Sequence, residues 1–367
     1  MMRKRLLLGA GASALGLATM LVVPATMSTA ATMPAAAAPG AVGVKVHVNK
    51  AAILAYWTSA RRAAAKNDDV LTIAGPPKTE SIRSVHPGKA GSVPGGSPSG
   101  ATASVPAIHS PRTPDAFSYP YPYDSWTVPN GDYTKYPWKV NGKVYFTNDG
   151  ADYVCSGTVV PSAAGTSNED EVWTAGHCLS NTESLTGVWD SSLEFVPSYN
   201  GTVKKQKPDG VFVWTGAAET TSAWLDNRDL SEDEAAFTVD TNGSGHILGN
   251  VTGWAGFAWN YSTDEQFVAF GYPAESPYNG ETLITDLGAS AVLDTGVGGA
   301  GSPPIGIGNP MTGGSSGGGW MMGWTDKGTG YVDGHNDYKY DDQPLAMYSP
   351  YQDTLSNTVR CFGATSC

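Results

Sequence analysis

The sequence predicts an all-β fold built from two β-barrels, and three observations carry that expectation. Short β-rich runs recur between turn residues from Tyr119 onward. Long amphipathic helical windows are nearly absent over the same stretch. The runs also fall into two groups of similar size. Many short strands separated by regular turns build barrels or sandwiches, and two such groups suggest two barrels. The first group comprises residues 143–147, 153–160, 171–175, 193–199, 211–215 and 234–239, with Asn141-Gly142 ahead of it as a hairpin signal. The second comprises 246–257, 266–272, 281–287, 319–324 and 330–332. No fixed-period repeat is present, which argues against a solenoid or propeller.

The chain has 367 residues, a prior for two or three domains or for one large β domain with appendages. Hydrophobic residues make up 41%, enough for a sizeable core, and the charged fraction of 15% is low for a cytosolic protein. The net charge of −12 argues against nucleic-acid partners, which need clustered Lys and Arg. Arg3, Lys4 and Arg5 precede an apolar run over 6–23, and Ser28-Thr29-Ala30-Ala31 follows. That order is a secretory signal over 1–31. The rival is a membrane anchor, since the run is about long enough to span a bilayer. The small-residue exit favours cleavage, hence a secreted, extracellular protein without stable membrane association. Four cysteines in an exported chain favour disulfides, and four allow three pairings. No CxxC or HxxxH spacing supports a metal site.

Residues 32–115 read as a pro-segment or linker, mostly disordered. One short helix is expected over 51–65, with Arg61, Arg62 and Lys66 near its C-terminal end, where cations suit the dipole. From about 75 to 115 the chain is rich in Pro, Gly, Ser and Thr, a composition that buries too little apolar surface to offset ordering entropy. The alternative is a permanently attached stalk. The folded domain is then 116–367, with barrels over about 130–243 and 244–360.

Three motifs carry chemistry. In Trp173-Thr174-Ala175-Gly176-His177-Cys178, a general base needs a neutral imidazole in a fixed orientation. A Cys155–Cys178 bridge would staple its turn to the neighbouring strand. In Thr312-Gly313-Gly314-Ser315-Ser316-Gly317-Gly318, acyl transfer needs a hydroxyl beside backbone N–H groups that hold an oxyanion, and glycines permit the close approach. In Asp233-Glu234-Ala235-Ala236-Phe237, a carboxylate holds the imidazole tautomer. Asp226, Asp229, Glu232 and Glu234 are close by, and Asp229 is the runner-up for that role.

Together these motifs resemble the trypsin-like serine peptidases, most of all the bacterial glutamyl-endopeptidase-like branch. TAGHC resembles the family's histidine motif, Asp233-Glu234-Ala235 its Asp-x-Ala motif, and Gly314-Ser315-Ser316-Gly317-Gly318 its G-x-S-G-G motif. The order His, Asp, Ser is that of this family. The resemblance covers about Tyr119 to near the C-terminus. Phe270-Gly271-Tyr272-Pro273 and Met347-Tyr348-Ser349-Pro350-Tyr351 also resemble bacterial members.

The resemblance implies two antiparallel Greek-key β-barrels with the active site in the cleft between them, and no cofactor or metal. It implies a monomeric serine endopeptidase acting on polypeptide substrates. Ser316 is then the nucleophile, His177 the general acid/base and Asp233 its orienting carboxylate, with the N–H groups of Gly314 and Ser316 as the oxyanion hole. Ser315 stands where the family often has an Asp that pairs with a freed N-terminal amine, so that activation route is not expected. Asn309 and Pro310 stand where many members place a Cys, and Cys361–Cys367 is the expected second bridge. Counting back from Ser316 puts Asn309, Pro310 and Met311 at the pocket floor, with no acid to select Lys or Arg. His335 falls where glutamyl endopeptidases have a pocket histidine; a surface His beside an acidic loop is the alternative. Residues 333–342 lack a calcium-binding EF-hand pattern. Two further readings stay open: an exported binding protein with a relic site, and an esterase using the same triad.

Overall fold

The computed structural model describes residues 40–67, 71–82, 87–98, 117–162, 170–180, 189–297 and 299–361. The expected export signal, residues 99–116 of the Pro-rich stretch and Cys367 lie outside the described residues. Among the described residues no helix is long and apolar enough to cross a membrane.

Six strands close into an antiparallel barrel: Asn141–Asn148, Ala151–Val160, Glu171–Thr174, Ala235–Val239, Phe212–Thr221 and Ser191–Pro197. The ten-residue strand Phe212–Thr221 closes the ring. Its first residues pair with Glu194 and Phe195, and the rest pairs with Ala235–Val239. Val144, Phe146, Val159, Val172, Phe195, Phe212 and Phe237 fill the interior. The hairpin turn lies at Asp149-Gly150, both with positive φ, and not at Asn141-Gly142. Gly142 is instead a strand residue, because a Cβ there would meet the Phe195 ring and the Val196 carbonyl at 2.6 Å.

The second half is a larger sheet centred on Ile284–Asp294, Gln266–Gly271, Gly319–Met322, Tyr331–His335, Ile305–Gly308 and Ala346–Ser349. It folds back on itself where the His335 N–H donates to Ser349 Oγ and the Asp337 N–H to the Tyr348 carbonyl. The run expected as a strand over 246–257 is a helix, Leu248–Thr252, followed by the strand Gly256–Trp259.

The N-terminal segment corrects the expectation of disorder. Its described parts add strands to both halves: Ala41–Lys45 beside Phe212–Thr221, Leu71–Ile73 beside Tyr338–Tyr340, Thr79–Ser81 beside Ile284–Asp294, and Gly91–Val93 beside Gly256–Trp259. Composition judged this stretch unable to build a core. Its described residues instead pair with sheet edges and pack against cores of the main domain. The single helix expected over 51–65 is two, Lys50–Tyr56 and Ser59–Ala64. Trp57 separates them, turning into the barrel core at 1% exposure, and Thr58 caps the second by accepting from the Arg61 N–H.

Arg62 from this segment donates to both carboxylate oxygens of the buried Glu194 of the barrel, through Nε at 2.5 Å and Nη2 at 2.8 Å. Burial pushes the Glu194 carboxyl up, and the Arg62 hydrogen bonds oppose that shift. Removing one partner of a buried pair strands the other charge, at a cost of about 3–5 kcal/mol. Arg62→Ala should therefore lower unfolding stability by that order in denaturant titration. A loss under about 1 kcal/mol, the value of an exposed pair, would show the contact to be dispensable.

Candidate active site

The strand Glu171–Thr174 ends in a single 3-10 turn, Gly176–Cys178. A disulfide between Cys155 and Cys178 ties that turn to the neighbouring strand, Ala151–Val160. Asp233 reaches it from just ahead of Ala235–Val239. Its Oδ1 accepts the His177 backbone N–H at 2.8 Å, and its Oδ2 lies 2.8 Å from His177 Nδ1. One carboxylate thus holds both the backbone and the ring. With Nδ1–H donated to it, Nε2 is left carrying the lone pair. Gly176 permits the approach, since a Cβ there would come within 2.7 Å of Asp233 Oδ1. Burial alone would raise the Asp233 carboxyl, but attraction to His177 and its hydrogen bonds hold it below the usual carboxylate range. The runner-up, Asp229, is occupied elsewhere, accepting from the Ser231 N–H and hydroxyl and from the Ala300 N–H.

The serine loop is brought to this turn by backbone contacts. Gly314 and Gly317 have φ of +89° and +78°, conformations that side chains other than glycine rarely adopt. A Cβ on Gly317 would strike Thr174 Oγ1 and the Ala175 nitrogen, so the residue after Ser316 lies directly against the histidine motif. The Ser316 carbonyl accepts from the Ser156 N–H at 2.8 Å, and the Gly314 carbonyl accepts from the Ser156 hydroxyl at 2.9 Å. Among the described residues, the Ser316 hydroxyl makes no hydrogen bond, and no donation is found from the N–H of Gly314 or Ser316.

Comparison with solved structures places the chain in a family. A protease of Arthrobacter nicotinovorans, Anisep, is 31% identical with a TM-score of 0.53, over 64% of this chain and 99% of that one. The thermostable serine protease AL20, from an extremophilic microorganism, is 30% identical with a TM-score of 0.53, over 62% and 98%. The chain belongs to the trypsin-like serine peptidases. No family model and no curated relative matches it.

Two positioning residues of this peptidase escaped the sequence reading. Ser156 links the halves: its N–H and hydroxyl hold the serine loop, its hydroxyl accepts from the Tyr272 N–H, and its carbonyl accepts from the Thr174 hydroxyl. Asn336, fully buried, donates to the carbonyls of Phe270 and Ser315 and accepts from Asn309 Nδ2 and Trp320 Nε1. Neither has a sequence signal beyond a polar residue next to a motif or in a strand context. Ser156→Ala should cost about 1–3 kcal/mol, the value of leaving buried partners unsatisfied. It should also lower kcat more than it raises KM, because Gly314 loses its anchor. Unchanged kcat in the purified variant would remove Ser156 from the positioning set.

The residues expected to line a specificity pocket are placed differently. Met311 is buried in the second core, with Trp320 and Ile307. Asn309 accepts from the Met311 N–H and is turned toward Asn336. His335 is fully buried behind the peptidase's histidine–aspartate pair. Its Nε2 lies 2.9 Å from the Asp233 carbonyl, and its ring packs 6.1 Å from that of Trp173. Burial lowers its pKa to about 4, so at neutral pH it is an uncharged donor that steadies Asp233 rather than a cation facing solvent. Sequence position put it near the pocket; the inward pleat of Tyr331–His335 turned it to the core. Ser315, in place of the family's frequent Asp, donates its hydroxyl to the Thr312 carbonyl within its own turn. Cys361 is disulfide-bonded, and the pairing expected for it with Cys367 falls on a residue outside the described ones.

Proposed function

We propose that the protein is a secreted serine endopeptidase that cleaves polypeptides through an acyl-enzyme on Ser316. The observation that carries this reading is His177, held by Asp233 through backbone and ring, beside a serine loop whose Ser316 hydroxyl and two N–H groups are uncommitted among the described residues. In this reading Ser316 Oγ attacks the scissile carbonyl and His177 Nε2 takes its proton. Asp233 stabilises the imidazolium that forms, and does not take the proton itself. The Gly314 and Ser316 N–H groups hold the oxyanion, where preorganised donors contribute most. His177 then protonates the leaving amine, and a water activated by the same imidazole releases the acid product.

The test combines a fluorophosphonate probe with matched peptide and ester substrates. Labelling at Ser316 together with release of new peptide termini supports the reading. Absence of labelling on folded protein favours an inactive binding protein, and turnover of esters alone favours an esterase.

A further inference from the structure

We propose that Asp337 is a further positioning residue of the active site: a neutral carboxylic acid that donates a hydrogen bond to the Asp233 carboxylate and thereby sets that carboxylate's orientation and basicity. The inference rests on the triad reading above and names a group that reading does not use. Asp337 Oδ1 lies 3.4 Å from His177 Nδ1, the same nitrogen that Asp233 approaches to 2.8 Å. All three side chains are completely buried. The ring nitrogen and one oxygen from each carboxylate lie within 4.8 Å of one another. Asp337 is held firmly there. Its N–H donates to the Tyr348 carbonyl, and it directly follows Asn336, which clamps the serine loop.

Charge decides the protonation states. The titratable groups that interact with Asp337 are His177 from the histidine turn, Asp233 from the approach to Ala235–Val239, and Tyr338 next to it in sequence; His335, two residues earlier, bonds through Nε2 to the Asp233 carbonyl. Only His177 can supply a positive charge during turnover, and a dry site with two carboxylates and one imidazole does not support two negative charges. Asp233 accepts two N–H groups from His177 and keeps its charge. Asp337 lies farther from the ring nitrogen, at 3.4 Å against 2.8 Å, and receives no backbone N–H among the described residues, so it keeps its proton. Burial, and then the charge of Asp233, hold the Asp337 carboxyl well above the usual range, outweighing the pull of His177. Its O–H then has a charged acceptor in the Asp233 carboxylate, one oxygen of which lies within 4.8 Å.

The test uses Asp337→Asn and Asp337→Ala in the full-length protein. Asparagine remains a neutral donor, so kcat/KM should stay within about threefold and its acid limb should not move. Alanine removes the donor from a charged acceptor, so kcat should fall roughly 10- to 100-fold with KM little changed. Asp233 then carries undispersed charge, favours the imidazolium, and moves the acid limb to higher pH. The infrared difference spectrum of wild type minus Asp337→Asn at neutral pH should contain the carbonyl band of a protonated carboxylic acid. That band needs no turnover, so it separates failure of this proposal from failure of the peptidase reading. A missing band, with the Asp337→Asn limb moved to lower pH, overturns the proposal, because an ionised Asp337 would have been raising the affinity of His177 for a proton. If the alanine variant does not fold, the asparagine profile and the band decide alone.

Discussion

Ser316→Ala should abolish peptide turnover and fluorophosphonate labelling while leaving the fold unchanged. The expected loss in kcat is roughly 10⁶-fold, because removing a nucleophile that acts as a unit with its base costs as much as removing the whole set. Stability should hold within about 0.5 kcal/mol. The Ser316 hydroxyl makes no hydrogen bond among the described residues, whereas the backbone carbonyl that anchors the loop to Ser156 is untouched by the substitution. Steady-state kinetics and thermal melting on the purified variant check both halves. A loss of only a few-fold would remove Ser316 from the nucleophile role.

Asp233→Asn should lower kcat by roughly 10⁴-fold, since an amide presents the wrong hydrogen-bonding partner to the ring and favours the wrong tautomer. Both Asp233 oxygens accept N–H groups of His177, so an asparagine must turn an NH2 group toward one of them. Asp229→Asn should change kcat little, because Asp229 organises the loop through Ser231 and Ala300. The opposite ranking in kcat would transfer the role to Asp229.

Legibility differed between the parts of this protein for physical reasons. The barrel strands were readable because alternation and turn chemistry are local, and the strand expected at 234–239 appears as Ala235–Val239. The run at 246–257 misled because a short apolar stretch does not distinguish a strand from a buried helix, and Leu248–Thr252 formed a helix. His177 and Ser316 stood out as candidates because each sits in a short motif with characteristic neighbours, TAGHC and a serine followed by two glycines, whereas Asp233 had only the small and apolar residues after it. The Cys155–Cys178 bridge expected beside the histidine motif is present, joining the 3-10 turn to the neighbouring strand.

By itself, then, the sequence determined the all-β class, the order of the motifs and the choice of His177, Asp233 and Ser316 as candidates. Tertiary structure alone decided what surrounds them. The N-terminal segment found order in its pairings with strands far along the chain, in the seat of Trp57 and in the Arg62–Glu194 contact, none of which composition encodes. His335 and Asp337 lie two residues apart in sequence, yet one supports the Asp233 carbonyl while the other meets the His177 ring. Ser156 and Asn336 each bond a carbonyl of the serine loop without any motif of their own. A hydrogen bond between buried groups is a property of two distant residues and the fold that joins them. A local pattern records one partner and is silent about the other.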